Sequence, residues 1–164
     1  MTGTLGRVIA GANPRRTAVR VLILVVGAYL VFGHVLMPIR GVGISMEPTI
    51  MAGDLIFVNR MAYRFRTPER GDVVAVRIAG RSVVYVKRLL ALPGDTVGFV
   101  NGVLWRNGAP VDEPYVIKRA DWQLEEVTLG PDDYFVVGDN RGMAMAQHDF
   151  GTATRGRLIG PRAF

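Results

Sequence analysis

Two side chains stand where hydrolytic chemistry would need them. Ser45 lies in Gly43-Ile44-Ser45-Met46-Glu47-Pro48-Thr49, and Lys87 lies in Tyr85-Val86-Lys87-Arg88-Leu89-Leu90-Ala91-Leu92-Pro93-Gly94-Asp95. A serine hydroxyl is a weak nucleophile until a neighbouring base takes its proton. An extended chain puts Val83, Tyr85, Lys87 and Leu89 on one face, so this lysine falls inside an apolar stripe. Burial there favours the neutral amine, and an amine brought down from about 10.4 towards neutrality is a base. Taken singly, each residue has a plainer reading: a serine in a Gly/Pro turn, and a strand lysine whose ammonium reaches water. A third segment, Tyr134-Phe135-Val136-Val137-Gly138-Asp139-Asn140-Arg141, reads as a strand entering a turn, with Asp139 and Arg141 supporting a site rather than reacting. The chain has no cysteine, which excludes disulfides, thiolate zinc and a cysteine nucleophile, and its two histidines, His34 and His148, are too few for a multi-histidine metal site. No cofactor or metal is expected.

The elements that must position these residues fall into two parts. Val21 to Ile39 is a run of 19 residues without Asp, Glu, Lys or Arg. As a helix it would span roughly 28 Å, close to the hydrocarbon thickness of a bilayer. A secretory signal would have a shorter apolar run and a small-residue cleavage site, which is absent here. The net charge of +6 is concentrated before this run: Arg7, Arg15, Arg16 and Arg20 precede it with no acid, leaving +2 on the remaining 144 residues. This asymmetry predicts a basic cytoplasmic tail over residues 1–20, a transmembrane helix over 21–39 and an extracytoplasmic domain over 40–164. It also argues against nucleic acid as a partner, because the folded part carries no basic excess. After the span, short Val/Ile-rich runs alternate with turns: Leu55–Val58, Asp72–Ile78, Ser82–Leu90, Thr96–Val100, Val103–Trp105, Glu126–Leu129 and Tyr134–Val137. Asn101-Gly102 and Asn107-Gly108 are hairpin signals, and Leu92 to Asp95 marks another turn. The expectation is an all-β domain, a coiled sheet or partly open barrel, with the polar stretch Asp112–Glu126 as a surface hairpin or loop. Ser45 follows the span by six residues, at most about 20 Å, and so works close to the membrane surface.

Taken together, these segments resemble the type I signal peptidases over roughly residues 17–160. The nucleophile box Ser-Met-x-Pro-Thr appears as Ser45 to Thr49, and Gly-Asp followed by an apolar strand as Gly53 to Val58. Arg-Gly-Asp-Val-Val appears as Arg70 to Val74, the lysine box as Lys87 to Asp95, and Gly-Asp-Asn-Arg as Gly138 to Arg141. The five boxes stand in family order after one N-terminal span. The resemblance implies a serine endopeptidase that removes signal peptides from exported preproteins at the outer face of the cell membrane. Ser45 would be the nucleophile, Lys87 the general base and the Ser45 N–H an oxyanion donor. The substrate would lie extended between the segment before Ser45 and Val83–Tyr85, with small residues at the first and third positions before the cut. The implied partners are signal peptides and the lipid bilayer.

The chain departs from the family pattern twice. Gly43 stands where many relatives carry a serine that assists the oxyanion hole. After Arg141, Ala144 replaces the serine that orients the lysine, Ala146 an aspartate and His148 an arginine, while Phe150-Gly151 keeps the box in register. Another group must then hold Lys87, and a backbone carbonyl of Met143–Gln147 or His148 is the expected support, with Gln147 and Thr152 also in range. Three other readings remain at this point. A self-cleaving repressor also pairs serine with lysine and cuts Ala-Gly, as in Ala79-Gly80, but needs a DNA-binding domain where this chain has an apolar span. A Ser–His–Asp hydrolase would use His148. An inactive relative would bind exported chains without cutting them.

Overall fold

The computed structural model describes residues 13–77 and 83–164; the basic residue Arg7 and the Ala79-Gly80 pair lie outside them. Helix α1, Pro14–Leu30, continues as one π-helical segment over Val31–Val35. Asn13 caps it by accepting from the Arg16 N–H, and Pro14 at the first position loses no hydrogen bond there. No residue of α1 is buried, and Pro14–Val35 is long and apolar enough to cross a membrane. The helix therefore starts and ends earlier than the apolar run. A proline at position 38 would clash with the carbonyl four residues back and disfavours helix in Met37. Leu36–Arg40 leaves instead as strand β1, which pairs antiparallel with β2, Leu55–Asn59. Arg60 fastens the junction, its N–H donating to Val35 O at 2.8 Å and its Nη1 to Gly33 O at 3.1 Å, so helix-end carbonyls find donors.

After a short helical turn α2, Ala62–Phe65, come β3 Val73–Arg77, β4 Val84–Ala91, β5 Thr96–Val100, β6 Val103–Arg106, β7 Ala109–Pro110, β8 Leu124–Thr128, β9 Asp133–Val137, β10 Gly151–Thr154 and β11 Leu158–Pro161. They form a five-stranded sheet in the order β10-β9-β4-β3-β11 and a four-stranded sheet in the order β7-β6-β5-β8, neither closed into a barrel. Every pairing is antiparallel. The turns at Asn101-Gly102 and Asn107-Gly108 have both residues at positive φ, the hairpin geometry their sequences predict. A bridge between Val58 and Arg162, with Ala163 N–H donating to Phe57 O at 2.7 Å, ties β2 to the chain beyond β11.

One apolar cluster, with Phe99, Leu104, Trp122 and Phe135, fills the space between the two larger sheets. A second, around Val74, Val76, Leu89 and Val136, lies under the five-stranded sheet, and a third of Met46, Ile50 and Ile56 lies beneath the Ser45 loop. The stretch Asp112–Glu126 is largely the exposed loop its polarity predicts, irregular up to Gln123 and then entering β8. What its polarity does not predict is that Glu113, Val116 and Trp122 turn inward, Glu113 and Trp122 to 1% exposure. Glu113 tolerates this because Arg141 donates to it at 3.1 Å, and the Trp122 indole N–H donates to Met143 O at 2.8 Å.

Candidate active site

The loop between β1 and β2 carries Ser45. Gly41 anchors its two ends together, donating to Asp54 O at 2.8 Å and accepting from Gly53 N–H at 2.9 Å. Gly43 sits at φ +99°, a conformation in which a side chain is strained, so glycine rather than serine suits this backbone. From the other side the end of β9 grips the loop: Asn140 N–H donates to Ser45 O at 3.0 Å and Asn140 Nδ2 to Ile44 O at 3.0 Å. Gly138 makes the approach possible, since a Cβ there would stand 2.1 Å from Ser45 O.

Lys87 comes from the middle of β4, paired with Val74 of β3 and flanked by β9, and is 1% exposed. Its Nζ lies 3.0 Å from Ser45 Oγ. Ser45 Oγ is its hydrogen-bond partner among the described residues, so neither His148 nor a backbone carbonyl of Met143–Gln147 holds the amine as expected. Burial pushes the amine down from its usual range to about 8, against a small opposing pull from Asp149. The shift has the sign a base needs. Among the described residues the Ser45 N–H donates to no acceptor.

Arg88, the next residue, points the opposite way. Its guanidinium donates to both Asp139 oxygens at 2.9 and 2.6 Å and to Gly71 O at 2.9 Å, and stacks over the Tyr115 ring at 4.0 Å. Thr49 of the serine loop donates to the same Asp139. Tyr115 donates to Glu113 at 2.9 Å, and Arg141 closes the chain between Glu113, Gly102 O and the faces of Phe99 and Trp122. Asp139 and Arg141 thus hold elements together, as their turn suggests. The position of Arg88 was not readable from spacing, although its place beside Lys87 on an alternating strand sends it to the opposite face.

His148 is 5% exposed and makes an edge contact with Trp122, centroids 5.0 Å apart. Neither ring nitrogen has a hydrogen-bond partner; the ring lies beside the Ser45 and Asp149 backbone without hydrogen-bond geometry to either. Burial, then the charges of Lys87 and Arg141, push it down to about 4. A catalytic histidine would face both the serine hydroxyl and a carboxylate, and this ring bonds to neither. His34 packs edge-on to Tyr29 at the helix end.

Beside Ser45 a cleft of about 260 Å³ opens between Ile39–Gly43 and Val83–Val86, floored by Met46 and Ile50. Residues 15–164 match the signal peptidase, peptidase S26 family. The chain belongs to that family. It is 35% identical over 126 residues to the probable signal peptidase I-2 of Synechocystis, covering 73% of this chain and 57% of that protein. It is 36% identical over 156 residues to signal peptidase I S of Bacillus subtilis, covering 88% and 84%. A crystal structure of a signal peptidase I from Enterococcus faecalis superimposes with a TM-score of 0.50 at 26% identity, covering 58% of this chain and 97% of that one. The chain spans less than two thirds of the length of the probable signal peptidases I-2 and I-1 of Synechocystis, 57% and 65%. The serine box meets the lysine box through the Lys87–Ser45 contact and the Gly-Asp-Asn-Arg box through the two Asn140 hydrogen bonds, and of the three boxes the serine box lines the cleft.

Proposed function

We propose that the protein is a membrane-anchored serine endopeptidase that removes N-terminal signal peptides from exported preproteins, with Ser45 as nucleophile and Lys87 as general base. The observation that carries this is the 3.0 Å contact between Ser45 Oγ and a buried amine whose proton is held weakly. Neutral Lys87 takes the hydroxyl proton as Ser45 Oγ attacks the scissile carbonyl. The Ser45 N–H, which has no acceptor among the described residues, would donate to the oxyanion, and the ammonium then protonates the departing amine. The cleft between Ile39–Gly43 and Val83–Val86 accepts an extended chain, and its aliphatic lining suits small apolar side chains before the cut.

The test is cleavage of a synthetic signal-sequence peptide with alanine at the first and third positions before the cut, using full-length protein in detergent. Cleavage after the first alanine is expected. Ser45→Ala and Lys87→Ala should each abolish it with circular dichroism unchanged, and the double substitution should be no worse than either. Lys87→Ala turning over at an appreciable rate would falsify the base assignment. Binding of the peptide without cleavage by the parent protein would instead mark a chain-binding relative.

A further inference from the structure

Among the described residues, buried polar side chains are engaged with partners, with one exception near the reacting atoms. Lys87, Asp95, Glu113, Asp139 and Arg141 each make hydrogen bonds to described residues. His148, equally buried, makes none through either nitrogen. An imidazole always offers a donor, and when neutral an acceptor too; leaving them unmet costs about 1–3 kcal/mol. Where protein gives no partner, a buried water ordinarily does, provided two or more polar groups converge on it.

Such groups converge here. The point where a Gly138 Cβ would stand lies 2.8 Å from His148 Nε2 and 2.1 Å from Ser45 O. The two atoms are therefore no further apart than a single water bridges. Ser45 O has a second lone pair beyond the one used by Asn140 N–H. Lys87, whose charge is felt at the ring, has one described partner and capacity for others. At position 144, where the family's serine hydroxyl would reach the lysine, this chain has a methyl group.

We propose that His148 is a positioning residue for the hydrolytic water, holding it between the imidazole, Ser45 O and the Lys87 amine. This rests on the Ser45–Lys87 reading above. After the leaving amine departs with a proton, Lys87 is neutral and Ser45 Oγ is an ester. The water oxygen attacks the ester carbonyl and its proton passes to Lys87. The tetrahedral intermediate then collapses, breaking the bond to Ser45 Oγ, which takes the proton back. Water supplies the hydroxyl of the new carboxylic acid, and no other reactant is needed. His148 accepts or donates one hydrogen bond that fixes the water, and undergoes no net change.

Acylation does not use this water, so the two half-reactions should separate. Full-length protein in detergent is mixed with the same peptide, quenched over time and read by intact mass for the Ser45 acyl adduct. In His148→Phe, which keeps a packed ring, the adduct should form within about threefold of the parent rate but clear at least about tenfold more slowly, so it accumulates. His148→Gln, which keeps hydrogen-bonding capacity, should clear the adduct faster than His148→Phe. Parallel losses in both steps, or His148→Phe clearing as fast as the parent, overturn the proposal. Lys87→Ala is the control that separates it from the reading beneath: normal adduct formation there removes the base itself, whatever His148 does.

Discussion

In the proposed mechanism Lys87 must lose its proton inside a protein that gives its amine a single described partner. With the amine held near 8, about a tenth is neutral at pH 7 and most of it at pH 9. The value kcat/KM should therefore climb close to tenfold per pH unit below 8 and level off above it, in a pH series on the synthetic peptide. A flat profile from pH 6 to 9 would remove the neutral amine from the mechanism. The linkage has a definite sign. The unfolded lysine titrates near 10.4 and the folded one near 8, so between those values the unfolded chain binds more protons and stability rises with pH. The serine and lysine were legible in sequence because one sits in a Gly/Pro loop and the other breaks an apolar stripe. The surroundings of Lys87 were not. The alanines at 144 and 146 show which groups are missing, but spacing cannot say that His148 packs against Trp122 and makes no hydrogen bond to the amine.

At the scale of elements, the site depends on how closely β9 meets the serine loop. Gly138→Ala would set a methyl 2.1 Å from Ser45 O, a separation no relaxation of side chains removes. The loop must move by about 1 Å, and activity should fall on the order of 10²-fold while the fold persists, measurable as kcat/KM beside a thermal melt. A second joint is the turn after β4, where Asp95 accepts from Arg70, from Leu92 N–H at 2.8 Å and from Asn107 Nδ2 at 2.8 Å. Burial opposes its ionisation, but these donors outweigh it and bring the carboxyl down to about 2. Asp95→Ala strands several of those donors and should cost about 2–3 kcal/mol in urea unfolding. In the parent, the contribution is present above about pH 4 and fades as pH falls towards 2. The Val/Ile runs and Asn-Gly turns made seven strands readable to within about two residues at most ends. Strands β1, β7, β10 and β11 were not. β1 is hidden inside an apolar run that also reads as helix, and the other three are too short to show a period.

On the scale of the whole molecule, the chain divides into an unburied apolar helix and an open-sheeted domain joined at Val35. The arginines at the N-terminal end of the chain, three of them in the first two turns of the helix, favour keeping that end in the cytoplasm. Protease added to intact spheroplasts should then digest the domain after Val35, and protection until lysis would reverse the orientation. On the proposed function, the junction itself limits what the catalytic centre can meet. Strand β1 begins at the residue after the helix and lines the cleft within four residues, with Arg60 holding the turn. No slack separates the part that would lie in lipid from the part that would cut. A catalytic centre tethered in this way searches a sheet rather than a volume. Its encounters with a substrate embedded in the same bilayer follow their surface densities. With the amounts of both held fixed, adding lipid dilutes the reaction, whereas adding water does not.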